Sequence, residues 1–234
     1  MRRLLLLSVL AWAAVAAGAA PAQATSECRG LMVCVKVRGP WVVVPWRRGV
    51  PRQRVEYQLS CPRGYLVGGL DAELSDRRID VSFVGKLGSP VNPGITTSRA
   101  AVFVATYVGA ASRTPSFRPH LGCIPATGGG GRIPTSASVF PPGEPTARHV
   151  RTARIPTGAV RRVTARCAAG ERLVDASHAI GFHTPRPPTP RLVASVSARR
   201  SAGGGRVTVV ARSSGALGRV RAVVQVSAVC AGGQ

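Results

Sequence analysis

The stretch Val55-Glu56-Tyr57-Gln58-Leu59-Ser60-Cys61 alternates apolar and polar residues without a break, which places Val55, Tyr57, Leu59 and Cys61 on one face of a β-strand. Cys61 therefore points into a core. The same period in Arg162-Val163-Thr164-Ala165-Arg166-Cys167 turns Val163, Ala165 and Cys167 inward and leaves Arg162, Thr164 and Arg166 outward. Downstream, Phe117, Leu121 and Cys123 share a face, as do Val220, Ala222, Val224, Val226, Ala228 and Cys230. Inward sulfurs on facing strands can meet at the roughly 5.5–6 Å Cα separation of a disulfide, so Cys61 is paired with Cys123 and Cys167 with Cys230. Each bridge closes a loop of ~60 residues, worth about 4 kcal/mol on a chain-entropy argument. Cys28 and Cys34, with Gly30 available for a turn, pair by elimination; a link from them to another chain is the rival.

The two long bridges belong to an internal repeat. Cys61-Pro62-Arg63-Gly64 recurs as Cys167-Ala168-Ala169-Gly170, and the bridges span 62 and 63 residues. With one residue inserted just after Gly170, an offset of 107 carries Leu66-Val67 onto Leu173-Val174, Arg99 onto Arg206, Val102 onto Val209 and Cys123 onto Cys230. Further strands are expected at Trp41 to Val44, Val81 to Val84, Ala101 to Tyr107, Ala179 to Phe182, Leu192 to Ala198 and Val207 to Ala211, all rich in β-branched or aromatic residues. A helix over Leu66 to Ser75 is disfavoured by Gly68-Gly69.

The expected fold is all-β: two tandem or pseudo-symmetric small β-sandwich or barrel units, each closed by a disulfide. The organisation read from the chain is a signal peptide at 1–24, an N-terminal segment with a small disulfide loop at 25–49, a β repeat at 50–125, a Gly/Pro-rich linker at 126–150, and a second repeat at 151–234.

Cys-Pro-x-Gly followed by an aliphatic pair and Gly-Gly, ending in a lone cysteine one β unit later, resembles the repeats of uncharacterised secreted β-repeat proteins of high-GC Gram-positive, actinobacterial-type bacteria. The likeness spans Val50 to Ile124, and less completely Ile155 to Ala231, where Pro62 and Gly68-Gly69 have no counterparts. It implies an extracellular β fold and carries over no catalytic residue.

Met1-Arg2-Arg3, the apolar run Leu4 to Ala20 and Ala22-Gln23-Ala24 have the order of a secretory signal cleaved before Thr25; retention as a membrane anchor is the rival. Six cysteines remain in about 210 residues, as in exported disulfide-bonded chains. The formal charge is +23, or +21 once Arg2 and Arg3 are removed, from 32 Lys+Arg against only nine Asp+Glu. Codon habit accounts for arginine replacing lysine but not for the shortage of acids. Polyanionic partners sense that imbalance.

Catalytic signals are absent at motif level. The chain contains no Gly-x-Ser-x-Gly, and strand alternation puts His178 on the face opposite Asp175 and His183. The same geometry argues against zinc on those histidines. Asp71, Glu73, Asp76 and Asp80 read as a charge-balancing run among arginines rather than paired catalytic carboxylates. Trp41 and Trp46, five apart, face opposite sides of a strand and make a poor sugar platform.

Arginine remains. Outward Arg162 and Arg166, with Arg219 and Arg221 on the strand carrying the disulfide partner, are expected to set like charges side by side, an arrangement relieved by an anion. The expected function is a non-catalytic secreted or cell-surface protein that binds anionic envelope polymers or an anionic membrane surface, without a cofactor and without sequence-specific nucleic-acid binding. Two alternatives stand: a secreted hydrolase whose loop-built site leaves no motif, and a secreted inhibitor presenting a braced loop such as Ser89 to Thr97.

Overall fold

The computed structural model of the chain describes residues 25–46, 52–85, 99–110, 114–126 and 146–232. The described chain is all-β apart from two short helical turns. In order the strands are β1 (Val35–Arg38), β2 (Trp41–Val43), β3 (Arg54–Ser60), β4 (Tyr65–Leu74), β5 (Ile79–Gly85), β6 (Ala100–Tyr107) and β7 (Ser116–Pro125). There follow β8 (Thr146–Ile155), β9 (Val160–Arg166), β10 (Glu171–His183), the one-turn helix α1 (Pro190–Ala194), β11 (Val196–Gly203), β12 (Arg206–Ser213) and β13 (Arg221–Gly232).

A seven-stranded antiparallel sheet runs through the middle. Its path is β1-β7-β2-β10-β13-β8, with β4 also paired to β7. The short β2 joins the two ends of the sheet: Val42 pairs with Phe117 of β7 on one side and with Gly181 of β10 on the other. Adjacent residues of a strand face opposite sides, and here they enter different cores. Val42 and Val44 pack with Tyr57, Phe103, Phe117 and Leu121, whereas Val43 packs with Phe182, Val209, Val224 and Val226. The three-stranded sheet β3-β6-β5 covers the first core, and the three-stranded sheet β9-β12-β11 covers the second on the opposite face. The result is three layers around two cores.

Three disulfides brace it: Cys28–Cys34, Cys61–Cys123 and Cys167–Cys230, each with Cα atoms 5.7 Å apart. The two long ones join a small sheet to the central sheet across a core. They are compatible with an oxidising, extracellular setting.

The described strands bear on four expectations from the sequence. β8 starts at Thr146, inside the stretch assigned to the linker at 126–150, because Thr146 to Ile155 forms the ladder on the outer edge of β13. The segment read as 25–49 carries its small disulfide loop, Cys28–Cys34, and also supplies β1 and β2 to the central sheet. Leu192 begins in α1 rather than in a strand: Pro190 follows the N-cap Thr189, whose hydroxyl accepts from the Leu192 N–H at 3.3 Å. Finally, the pairings do not keep the spacing of 107: Val67 lies opposite Cys123 as Leu173 lies opposite Cys230, and Ser60 pairs with Ala100 as Arg166 pairs with Arg206, spacings of 106. An offset of 107 would put the inward Phe103 on the outward Val210, a one-residue slip that reverses every side chain.

Gly68-Gly69 is explained by contact. A Cβ on Gly69 would lie 1.8 Å from the Glu27 carbonyl oxygen, and one on Gly122 would lie 2.0 Å from the same atom. The N-terminal segment crosses β4 and β7 at backbone contact, where only glycine fits.

Candidate functional site

The outward face of the β9-β12-β11 sheet carries a concentration of arginine. Register places Arg166 directly opposite Arg206, Thr164 opposite Thr208, and Arg162 opposite Val210; on the far side of β12, Arg199 faces Val210 and Ser201 faces Thr208. Arg212, two residues beyond Val210, shares the face. Arg162, Arg166, Arg199, Arg206 and Arg212 are all exposed. No Asp or Glu occurs in any of the three strands, and among the described residues none of the five has a carboxylate partner. Valine and alanine of the same strands, Val163, Ala165, Val207, Val209 and Ala211, are buried beneath and hold the sheet against the core.

The face is hollowed into a shallow groove of about 430 Å³ between Arg162 and Arg166 of β9, Arg206 and Thr208 of β12, and Ser201 of β11. The Thr164 and Thr208 hydroxyls meet at 3.0 Å on its floor. A second hollow of about 350 Å³ adjoins it, sharing Arg166 and Arg206 and reaching Cys167, Glu171 and the Gly204-Gly205 turn. Glu171 is the acid on that second hollow; its Oε2 accepts the Ala168 N–H at 2.6 Å and lies 2.7 Å from His149 Nε2, and it forms no ion pair with Arg166 or Arg206. Its pKa is lowered, first by the Ala168 N–H and then by His149. The arrangement presents guanidinium forks and hydroxyl donors together, which suits phosphate or carboxylate oxygens. It offers no His or carboxylate on the groove lining for acid–base chemistry.

Arg162 and Arg166 thus sit where the alternation puts them. Arg219 and Arg221 do not join them. The Cys167–Cys230 bridge crosses the core between sheets, so the hydrogen-bonded neighbour of β9 is β12, not β13. Arg219 lies on the exposed turn before β13, and Arg221 lies opposite His183 on the central sheet. Arg206, Arg199 and Arg212 take their place. Only the pairing of β12 identifies them.

The remaining candidates resolve into local pairs. Asp175 lies 3.5 Å from Arg54, while His178 and His183 have lowered pKa values, burial being the largest cause in each. Asp71 accepts from the Ser26 N–H at 2.5 Å, and Asp76 lies 2.7 Å from Arg78, whose side chain and N–H together hold its pKa far below the carboxylate range. Trp41 is buried under the Arg118 guanidinium, 4.6 Å from the ring centre, and Trp46 is half-buried edge-on against Tyr107; neither is an exposed platform. His149, Glu171 and Cys230 cluster, yet the Cys230 sulfur is bonded to Cys167 and has no thiolate for a metal. Ser89 to Thr97, the loop expected of an inhibitor, lies outside the described residues.

A buried polar cluster carries no signature in the sequence. His120 lies between Glu27, at 3.8 Å, and Glu73, at 3.2 Å, and Arg118 reaches Glu73 at 3.4 Å and donates to the Thr184 carbonyl. His120, Arg118 and Glu27 are almost fully buried. Neither hollow on the arginine face reaches them, and the cluster fastens the N-terminal segment to β7.

No protein family, curated protein or solved structure matches this chain. Its functional reading rests on its own residues.

Proposed function

We propose that the protein is a secreted or cell-surface, non-catalytic β protein that holds anionic envelope polymers on the outward face of β9-β12-β11. The observation that carries this reading is the convergence of Arg162, Arg166 and Arg206 on one hydroxyl-lined groove with no acid in the sheet. Like charges directly opposite one another, as Arg166 and Arg206 are, weaken a sheet unless an anion lies between them. Arg162 and Arg166 are four residues apart, about 13 Å along the strand, so they grip separate charges of an extended chain rather than one small anion. Export is supported by the leader-like residues 1–24 and by three disulfides.

The scaffold reads as a duplication. β3-β6-β5 and β9-β12-β11 have corresponding orders, β4-β7 and β10-β13 form corresponding ladders, and each ladder is interrupted at the corresponding place, between Val67 and Gly69 and between Leu173 and Asp175. Gly64 and Gly170 hold φ of 80° and 82° at equivalent turns. The groove is not duplicated: Arg166 and Arg206 correspond to Ser60 and Ala100, so binding would belong to the second half alone.

The test is polyanion affinity of Arg162→Gln/Arg166→Gln/Arg206→Gln against a charge-matched control, Arg186→Gln/Arg191→Gln/Arg219→Gln, all exposed. Arg148 is unsuitable as a control because it is buried against Glu56 at 2.5 Å. The groove set should lose at least tenfold more affinity for a poly(glycerol phosphate) or a polyuronate, roughly 1.4 kcal/mol or more. Equal losses would reduce the effect to net charge and reject the site.

A further inference from the structure

Six large apolar side chains are exposed among the described residues, and three of them, Met32, Val33 and Val35, lie within four positions. Met32 is 102 % exposed and Val33 58 %. Singly scattered exposed apolar residues need no explanation, but a cluster does.

These side chains stand on a braced tip. The Cys28–Cys34 bridge closes the loop, and turn hydrogen bonds from the Arg29 N–H to the Ser26 carbonyl at 2.9 Å and from the Leu31 N–H to the Cys28 carbonyl at 3.2 Å shape it. Its base is locked to the body: the Glu27 carbonyl rests on Gly69 and Gly122, Asp71 takes the Ser26 N–H, and Leu31 folds back with Ile124 over Gly68. Met32 and Val33 therefore cannot bury themselves without breaking that docking. In the same segment Arg29, Lys36 and Arg38 are exposed, while its acid, Glu27, is buried and lies 3.5 Å from Lys36.

We propose that this tip docks the protein on an anionic lipid surface. Met32 and Val33 enter the boundary between headgroups and acyl chains, and Arg29, Lys36 and Arg38 form a collar in the headgroup layer. Charge complementarity selects anionic over zwitterionic lipid; the apolar pair adds a contribution that net charge alone cannot supply. Preformed geometry limits the ordering cost on binding. The site is separate from the groove on β9-β12-β11 and does not depend on it.

The experiment is co-sedimentation of the processed chain beginning at Thr25 with phosphatidylglycerol/phosphatidylcholine vesicles and with pure phosphatidylcholine vesicles. Wild type should bind the anionic vesicles, and Met32→Ser/Val33→Ser should weaken that binding by at least about tenfold, with unchanged thermal stability because both side chains are exposed. Arg29→Gln/Lys36→Gln/Arg38→Gln should also weaken it, while the groove triple variant should retain most of it. Tryptophan fluorescence is an independent readout: the emission of the Met32→Trp variant, with the wild-type spectrum subtracted, should shift to the blue on vesicle addition. Undiminished binding by the Ser/Ser variant, an unmoved emission from the Met32→Trp variant, or loss confined to the groove variant would each overturn the proposal. Any of these would leave the tip as a contact for another protein.

Discussion

The side-chain amide of Gln225 on β13 forms both hydrogen bonds that a neighbouring strand would make to Gln58 on β3: its Oε1 accepts the Gln58 N–H at 2.6 Å, and its Nε2 donates to the Gln58 carbonyl at 3.0 Å. A third bond runs from Nε2 to Thr152 Oγ1 at 3.0 Å. β3 is an edge strand of its sheet, and the amide occupies an edge that would otherwise be free to pair with another chain. Beside it, Glu56 takes Arg148 of β8 at 2.5 Å, a second point at which the small sheet is clamped to the central sheet, and Arg54, on β3 itself, pairs with the same carboxylate at 2.8 Å. Gln225→Leu should lower stability by ~1–3 kcal/mol, the cost of leaving partly buried backbone groups unpaired. Urea midpoints measure this. An unchanged midpoint would show that the clasp contributes nothing.

Among the described residues, Gly69 and Gly122 should be the least replaceable glycines. Alanine at either collides with the backbone of Glu27, which cannot swing away as a flexible side chain could, so ~2 kcal/mol or more should be lost, together with docking of the N-terminal segment. Gly158→Ala is the comparison: nothing lies within 4 Å, and φ of 66° costs about 1–2 kcal/mol. Thermal denaturation orders the three variants. Gly158→Ala matching Gly69→Ala would mean that backbone conformation, not the close approach, limits the site.

Acid should destabilise the protein in two steps. Burial holds the His120 pKa below 6.5 despite Glu73 and Glu27, with Arg38 and Arg118 adding to the depression. Below pH 6.5 the unfolded chain therefore takes up a proton that the folded chain refuses, and stability falls. Burial raises the Glu27 pKa, but hydrogen bonds from Thr25 and its own backbone and the charges of Lys36 and His120 outweigh it, leaving the pKa below 4.5. A second loss then follows below pH 4.5. His178 and His183 add to the first step with the same sign. His120→Gln should flatten the curve between pH 7 and pH 5 without abolishing its slope; a curve parallel to wild type would assign that step to His178 and His183 alone. At the alkaline end Tyr57, pushed up to about 12 chiefly by burial, should cost stability between pH 10 and pH 12, and Tyr57→Phe should remove that loss.

Arg206→Thr should stabilise the free protein and weaken its response to ligand. It removes a like charge directly opposite Arg166 and places a β-branched residue in β12, worth a few tenths to ~1 kcal/mol. Added polyanion should raise the melting temperature of wild type more than that of the variant, since only ligand bound to the folded state adds stability. A variant less stable than wild type without ligand would show that Arg206 is held by contacts within the protein.

Residues 55–61 and 162–167 determine their own strands, because a period of two in a half-buried segment has one reading, and that period also aims Cys61, Cys123 and Cys230 inward. Alternation likewise sends Arg162 and Arg166 to the surface. What it cannot state is which strand lies alongside. A cysteine on an inward face pairs across a core, whereas the lateral neighbour is chosen by hydrogen bonding, so Arg219 and Arg221 are separated from Arg162 and Arg166, and Arg206 is brought to them. The Glu27–His120–Glu73 cluster and the Gln225 clasp are unreadable for the same reason. Glu27, Glu73 and His120 come from three separate segments, Gln58 and Gln225 stand 167 residues apart, and neither set leaves a periodic signature. Local alternation is dictated by side-chain partitioning residue by residue; lateral order, the shared β2 and the three-layer stack depend on how two cores close around one sheet, which only the folded chain decides.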